Sequence, residues 1–249
     1  MISNSPDYRT ESVPNLFRGV FCFFVYFAKK HLIFASVYVI ILVRLGKFYY
    51  ISRGRVFILQ DMDYYFSHFP VLETERLILR AKTAADAEDM KTYMADENLY
   101  KYWGRNMTRQ EREPSLFFGR TLNNGKKDHI SWGIELKKNH RLAGEVNLFN
   151  IENDRQAMIG YRISAAYQNM GFVTEALRRV IRFCFEETGV QRLEAEVMTV
   201  NVASNRVMEK CGFTCEGTKR QAKFVNIYTD FNIYGLLKSD IMGERAAST

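Results

Sequence analysis

The chain predicts an α/β fold, a central twisted mixed sheet flanked by helices, and three observations carry that prediction. Val173, Ala176, Leu177, Val180, Ile181 and Cys184 recur at helical spacing, and Gly189 stands where such a helix would stop. Leu193, Ala195 and Val197 alternate with Glu194, Glu196 and Met198, the pattern of a strand buried on one side. Strand and helix patterns are interleaved over most of the chain, which suits helices packed on a single sheet.

The elements follow in order. Residues 72–80 (Leu-Glu-Thr-Glu-Arg-Leu-Ile-Leu-Arg) open the domain as a strand. Ala84 to Met94 reads as a helix, with Asp86, Glu88 and Asp89 near its start, where negative charge is favourable. Pro114 to Leu122 predicts a second helix. Ile130 to Leu136 and Leu142 to Phe149 read as strands joined by the polar turn Lys137 to His140. Gly144 inside the second of these marks a bulge or a close backbone contact. Asn153-Asp154-Arg155 forms another turn, and Ala157 to Ile163 is the next strand. A long helix then spans 172–187, and a strand runs through Leu193 to Val197. Asn201 ends that strand, a short helix covers Val202 to Lys210, Gly212 stops it and Phe213 opens the following strand. In the last strand, Ile227 to Leu237, alternation puts Tyr228, Asp230, Asn232 and Tyr234 on one face.

The most informative stretch is 168–176, Gln-Asn-Met-Gly-Phe-Val-Thr-Glu-Ala, between a strand and the long helix. The first amides of a helix have no partner inside it, and the helix dipole adds partial positive charge there, so such a turn suits a phosphate. Gly171 lets the backbone adopt positive φ and approach a ligand, and Thr174 adds a hydroxyl. Asn201 and Ser204 fit plain helix capping or a ligand role equally well by spacing alone.

The order Q-x-x-G-F-x-T-E-A at 168–176 resembles the diphosphate-binding segment of the GNAT acyltransferases, especially their RimJ/RimL-type branch, which acts on protein amino termini. Asn201-Val-Ala-Ser204-Asn205-Arg206-Val207-Met208-Glu209-Lys210-Cys211-Gly212-Phe213 resembles the family's N-x-x-S-x-x-[LV]-x-E-K-x-G-F, and Leu72 to Arg80 resembles its L-x-T-x-R-L-x-L-R opening. The resemblance extends from residue 72 to about 240. It implies the GNAT fold and acetyl transfer from acetyl-CoA to a primary amine by direct attack in a ternary complex. The cofactor set it implies is Ile163, Gln168, Asn169, Met170, Gly171, Phe172, Val173 and Thr174, with Asn201 and Ser204 beside the pantetheine arm and sulfur.

Such chemistry needs a route for the amine's proton, a donor for the carbonyl oxygen and a hydroxyl for the leaving thiolate. Ser204 is the candidate for the thiolate, with Tyr228 behind it. Glu145, Glu196 and Asp230 are the candidate bases. The resemblance leaves the acceptor open: the N-terminal amine of a ribosomal or other protein, or a small amine such as a polyamine or antibiotic. A chain that binds CoA without turnover is the alternative. Acceptor choice falls to Lys101–Arg112, where Tyr100, Tyr102 and Trp103 line a pocket or serve as core, and to the last two strands.

Other functions find little support. Cys211 and Cys215 flank a helix-to-strand turn without a second Cys/His pair, so no metal is expected. The few cysteines form no framework, which fits a reducing cytoplasm. No G-x-G-x-x-G is present. The net charge is +7, of which residues 1–70 hold +4, so no basic stripe marks residues 71–240 as a nucleic-acid surface. Residues 12–60 contain seven Lys/Arg and no Asp or Glu. The apolar runs Val20 to Ala28 and Leu32 to Val43 are each shorter than the roughly 20 residues a spanning helix needs. Two readings of residues 1–70 stand: a segment lying on an anionic membrane surface, or upstream sequence before a true start at Met62. Residues 241–249 read as a flexible tail.

Overall fold

A computed structural model of the chain describes residues 62–102, 107–118, 128–153 and 155–241, with the backbone of three short strands between 42 and 59. Those strands, β1 (Leu42–Arg44), β2 (Lys47–Ser52) and β3 (Arg55–Leu59), form a small antiparallel sheet of their own. Helix α1 (Met62–Ser67) follows. Met62 is fully buried in the main core, and the Tyr65 ring meets Phe183 edge-on at 4.8 Å between centroids. Val20 to Ala28 and residues 32–41 lie outside the described residues, as do Trp103, Asp154 and 242–249. Among the described residues no helix is long and apolar enough to cross a membrane.

The main sheet has eight strands in the order β10-β11-β9-β8-β7-β6-β5-β4. These are β4 (Leu72–Glu73), β5 (Leu77–Arg80), β6 (His129–Leu136), β7 (Leu142–Glu152), β8 (Gln156–Ile163), β9 (Arg192–Met198), β10 (Thr214–Phe224) and β11 (Ile227–Leu237). Every neighbouring pair is antiparallel except β8 and β9, which are parallel. A parallel pair needs a crossover, and helix α3 (Phe172–Glu187) supplies it. Its apolar stripe, Val173 to Phe185, packs on Trp132, Val146, Leu148, Ile159 and Leu193 to form the core.

Helix α2 (Ala87–Ala95) buries Met90, Tyr93 and Met94 against Phe117 and Leu142 in a second cluster. A single 3-10 turn leads into it, so the helix read from Ala84 begins in earnest at Ala87. In the second helix expected at Pro114 to Leu122, Pro114–Phe117 forms a 3-10 turn and Phe118 is already extended (ψ 137°); 119–122 lie outside the described residues. Helix α4 (Val202–Lys210) matches its predicted span and joins β9 to β10. At Gly144 the reason for glycine is close approach: a Cβ there would collide with the Arg162 carbonyl on β8.

Candidate functional site

The parallel seam between β8 and β9 closes only at its start. Gln156 pairs with Arg192, Ala157 with Leu193 and Met158 with Glu194. Beyond that point β8 pairs with β7, β9 pairs with β11, and no further β8–β9 pairing occurs among the described residues. The seam therefore opens into a cleft from Ile159 and Ala195 onward. Strand parity shows what lines it. Ser164 N–H donates to Ala143 O on the β7 side at 2.8 Å, whereas Arg155 O accepts Gln191 N–H on the β9 side at 2.7 Å. Even positions of β8 thus face β7. The amides and carbonyls of Ile159, Tyr161 and Ile163 face the cleft, as an extended ligand chain would require.

The chain leaves β8 through Gln168, Asn169 and Met170 and enters α3 at Gly171. Asn169 (φ 60°) and Gly171 (φ 79°) are both left-handed, which bends the backbone sharply before the helix. Gly171 is the N-cap and carries no capping side chain. The first helical bond is Glu175 N–H to Gly171 O at 3.0 Å, so the amides of Phe172, Val173 and Thr174 have no partner within the helix. Gln168, Asn169, Met170 and Gly171 are exposed, Phe172 and Thr174 half-buried, and Val173 turns into the core. This places the predicted cofactor residues 168–174 in one open turn at the positive end of a 16-residue helix.

The bend between β4 and β5, residues 74–76, holds that turn in place. Arg76 directs Nε and Nη2 to Glu175 Oε2, each at 2.6 Å, and Nη1 to Met170 O at 3.1 Å. Its guanidinium lies 4.5 Å over the Phe172 ring. Glu175 Oε1 accepts from Thr74 Oγ1 at 2.6 Å and from the Arg76 amide at 3.0 Å. Burial pushes the Glu175 carboxyl up, but these bonds outweigh it and hold it below the usual carboxylate range. Two motifs a hundred residues apart in sequence thus meet as one latch.

At the far side of the cleft, Asn201 caps α4, its Oδ1 accepting the Ser204 amide at 3.2 Å. Ser204 Oγ lies 2.6 Å from Tyr161 OH. Burial pushes the Tyr161 phenol up to about 12, the bond to Ser204 opposing it. Asn205 is a hub that spacing did not reveal. Its Nδ2 donates to Met198 O (3.1 Å) and Asn201 O (2.8 Å), and its Oδ1 accepts from Asn232 Nδ2 (2.8 Å) and Tyr234 OH (2.9 Å). Half of the predicted polar face of β11 is therefore committed to positioning α4.

The structure does not bring the carboxylate candidates together with Ser204. Glu145 is 1% exposed and bound to Arg162 (Nε to Oε1, 2.7 Å), while Lys82 Nζ lies 3.1 Å from Oε2. Burial raises its pKa, yet the charges of Arg162 and Lys82 outweigh burial and hold the carboxyl well below its ordinary value. A carboxylate so paired is a poor proton acceptor, which argues against Glu145 as base. Asp230 Oδ1 accepts the amide of Gln221, a left-handed residue at an irregularity of the β10–β11 hairpin. Tyr228 is 66% exposed on the same hairpin, and Glu196 is exposed on β9. Tyr100 is a core aromatic whose OH donates to Met94 O at 3.0 Å. Among the described residues no group of three or more His, Cys, Asp or Glu could hold a metal. Cys184 and Cys211 are buried thiols, and Cys215 is exposed. Tyr161 was missed because it sits in an apolar alternation (Ala157, Ile159, Tyr161, Ile163); its hydroxyl was the one signal there.

Comparison with known proteins agrees with the fold. The Acetyltransferase (GNAT) domain family matches residues 76–214. An uncharacterized N-acetyltransferase of Bacillus subtilis, YoaA, is 35% identical over 173 residues, covering 68% of this chain and 98% of its own. The ribosomal-protein-serine acetyltransferase of Escherichia coli is 31% identical over 99 residues, covering 39% of this chain and 55% of that protein. The crystal structure of spermidine N-acetyltransferase from Vibrio cholerae, in complex with CoA and spermine, shares the fold, with a TM-score of 0.58 at 20% identity over 68% of this chain and 99% of that one.

Proposed function

We propose, for a chain that belongs to the GNAT acetyltransferase family, that the acceptor is the N-terminal amine of a protein. The chain is an acyltransferase that moves an acetyl group from acetyl-CoA to an amine. The observation that carries the site assignment is the opened β8–β9 seam, which runs from the uncapped turn of α3 to the Ser204–Tyr161 pair. The diphosphate takes the amides of Phe172, Val173 and Thr174, with Gln168, Asn169, Met170 and Gly171 shaping the turn. The pantetheine arm lies along the outward backbone of β8 up to Ile163, with Asn201 beside it. An outward amide of β8 serves the developing oxyanion.

The amine nitrogen forms its bond to the carbonyl carbon as the carbon–sulfur bond breaks. Ser204 stabilises the departing thiolate. The amine's proton leaves through water: Glu145 is locked between two cations, Asp230 is engaged with the hairpin, and Glu196, exposed on β9, is left as the carboxylate that such water can reach. A protein acceptor is supported by the similarity to a ribosomal-protein-serine acetyltransferase, and such acceptors imply work in the cytoplasm. The test is thiol release from acetyl-CoA over a panel of N-terminal peptides and polyamines. We expect the highest kcat/KM with a peptide whose α-amine is free, and none when that amine is blocked. Preference for spermidine-like amines would overturn the acceptor assignment. CoA binding without thiol release on any amine would mark a silent binding protein instead.

A further inference from the structure

We infer that Tyr161 is a positioning residue for Ser204: its hydroxyl donates to the serine oxygen and so turns the serine proton into the cleft, toward the cofactor's sulfur. This rests on the reading of Ser204 given above. The two hydroxyls are 2.6 Å apart and belong to elements on opposite sides of the open seam, β8 and the first turn of α4. Their geometry is fixed from both ends. The Tyr161 ring packs on the core beside β8, and the Ser204 amide is tied to Asn201 Oδ1 at 3.2 Å.

In any pair of hydroxyls one donates and the other accepts. A phenol is the stronger acid and therefore the better donor, and burial keeps Tyr161 protonated up to about pH 12. Ser204 Oγ has no other protein partner among the described residues, so an accepted bond from Tyr161 leaves its own proton uncommitted. In the reaction the carbon–sulfur electron pair settles on sulfur, and the Ser204 O–H donates a hydrogen bond to it. The proton that sulfur finally keeps is the one the amine loses, delivered through water. Ser204 and Tyr161 end the cycle as they began. Reversal of the pair, with Ser204 donating to Tyr161, would turn the serine's lone pairs toward the thiolate and repel it.

Tyr161→Phe removes the hydroxyl and keeps the ring. We expect kcat to fall by about 10- to 100-fold, no more than the low end of the roughly 100- to 10,000-fold that a positioned proton-transfer group itself supplies, because Tyr161 acts only in support of one, while CoA affinity by calorimetry stays within about twofold. Ser204→Ala should lose at least as much turnover. The double variant should be no slower than Ser204→Ala alone, because the tyrosine acts only through the serine. Additive losses, an unchanged kcat in Tyr161→Phe, or a loss confined to CoA affinity would each overturn the role of Tyr161 while leaving acetyl transfer intact. A wild-type chain that binds CoA and releases no thiol with any amine would overturn both readings together.

Discussion

Two cations flank the short strand β5, and they meet opposite environments. Arg76 precedes the strand, is 46% exposed, and reaches out to Glu175 in the first turn of α3. Lys82 follows the strand, is fully buried, and reaches beneath the sheet to Ser131 on β6 and Glu145 on β7. Arg162 on β8 completes the buried group. Both arrangements tie the opening strand to the rest of the domain, yet water decides what each contributes. The exposed pair is screened and adjustable, and it shapes a turn that must admit a ligand. The buried cluster is sealed and holds its charges in fixed register on β7, β8 and the segment after β5. A carboxylate in a site is thus not by itself a catalytic group: Glu145 carries the more perturbed charge and the less available one.

Breaking the buried member should have the largest effect. Glu145→Leu leaves Lys82 and Arg162 facing each other in the interior, and removal of one partner from such a group costs about 3–5 kcal/mol. Urea denaturation of the variant should show that loss, with Glu145→Gln falling between it and wild type. A stability change under about 1 kcal/mol, with turnover abolished, would restore Glu145 as a catalytic base.

The second break is at Gly171. Valine there is strained, because an L-residue at φ near +79° costs about 1–2 kcal/mol. The nearest atom to an added Cβ is Arg76 Nη2 at 3.5 Å, an ordinary contact, so the fold should persist. CoA affinity should nevertheless fall by about tenfold or more, or roughly 1.4 kcal/mol, as the branched side chain obstructs the amide cradle. Calorimetry showing the wild-type affinity would remove the diphosphate from this turn.

The contrast between the two cations also measures what the sequence discloses. The turn of α3 was legible because its physics is local: a strand, a glycine and a helix start lie within ten residues, and each leaves a pattern. Helix α4 and β9 were legible for the same reason. The latch was half legible, since Thr74, Arg76 and Glu175 all stood inside recognised motifs, but nothing in spacing said that the motifs touch. Asn205, Tyr161 and the Lys82 cluster were hidden because their partners lie on other strands. Glu145 was read as a candidate base for want of its two partners. The start of the helix expected at Pro114 to Leu122 differs for another reason: Pro114 suits a first helical turn, but the turn is 3-10 and the chain is extended at Phe118.

At the latch itself, Arg76→Ala should cost no more than about 1 kcal/mol of stability, the range for an exposed ion pair. CoA affinity should fall by a few-fold, because the Met170 carbonyl and the Phe172 ring lose the guanidinium that fixes the turn. Arg76→Lys should restore little, since a point charge cannot bond Glu175 and Met170 in one plane. Full recovery by lysine would reduce the latch to simple charge.

The smallest expected effect is the latch's pH dependence, and its sign follows from Glu175. The folded carboxyl titrates below its ordinary value because Thr74 and Arg76 bond the ionised form, against the upward push of burial. A group whose pKa is lower in the folded than in the unfolded chain adds stability above its unfolded value, about 4.3 for glutamate. That stability is lost as the pH falls through the folded value. Wild type and Glu175→Gln should therefore differ most near neutrality, by no more than about 1 kcal/mol, and converge in acid. Parallel stability curves for the two proteins from pH 7 down to pH 3 would show that the ionised carboxylate contributes nothing, and that Thr74 and Arg76 hold the turn by packing and neutral hydrogen bonds alone.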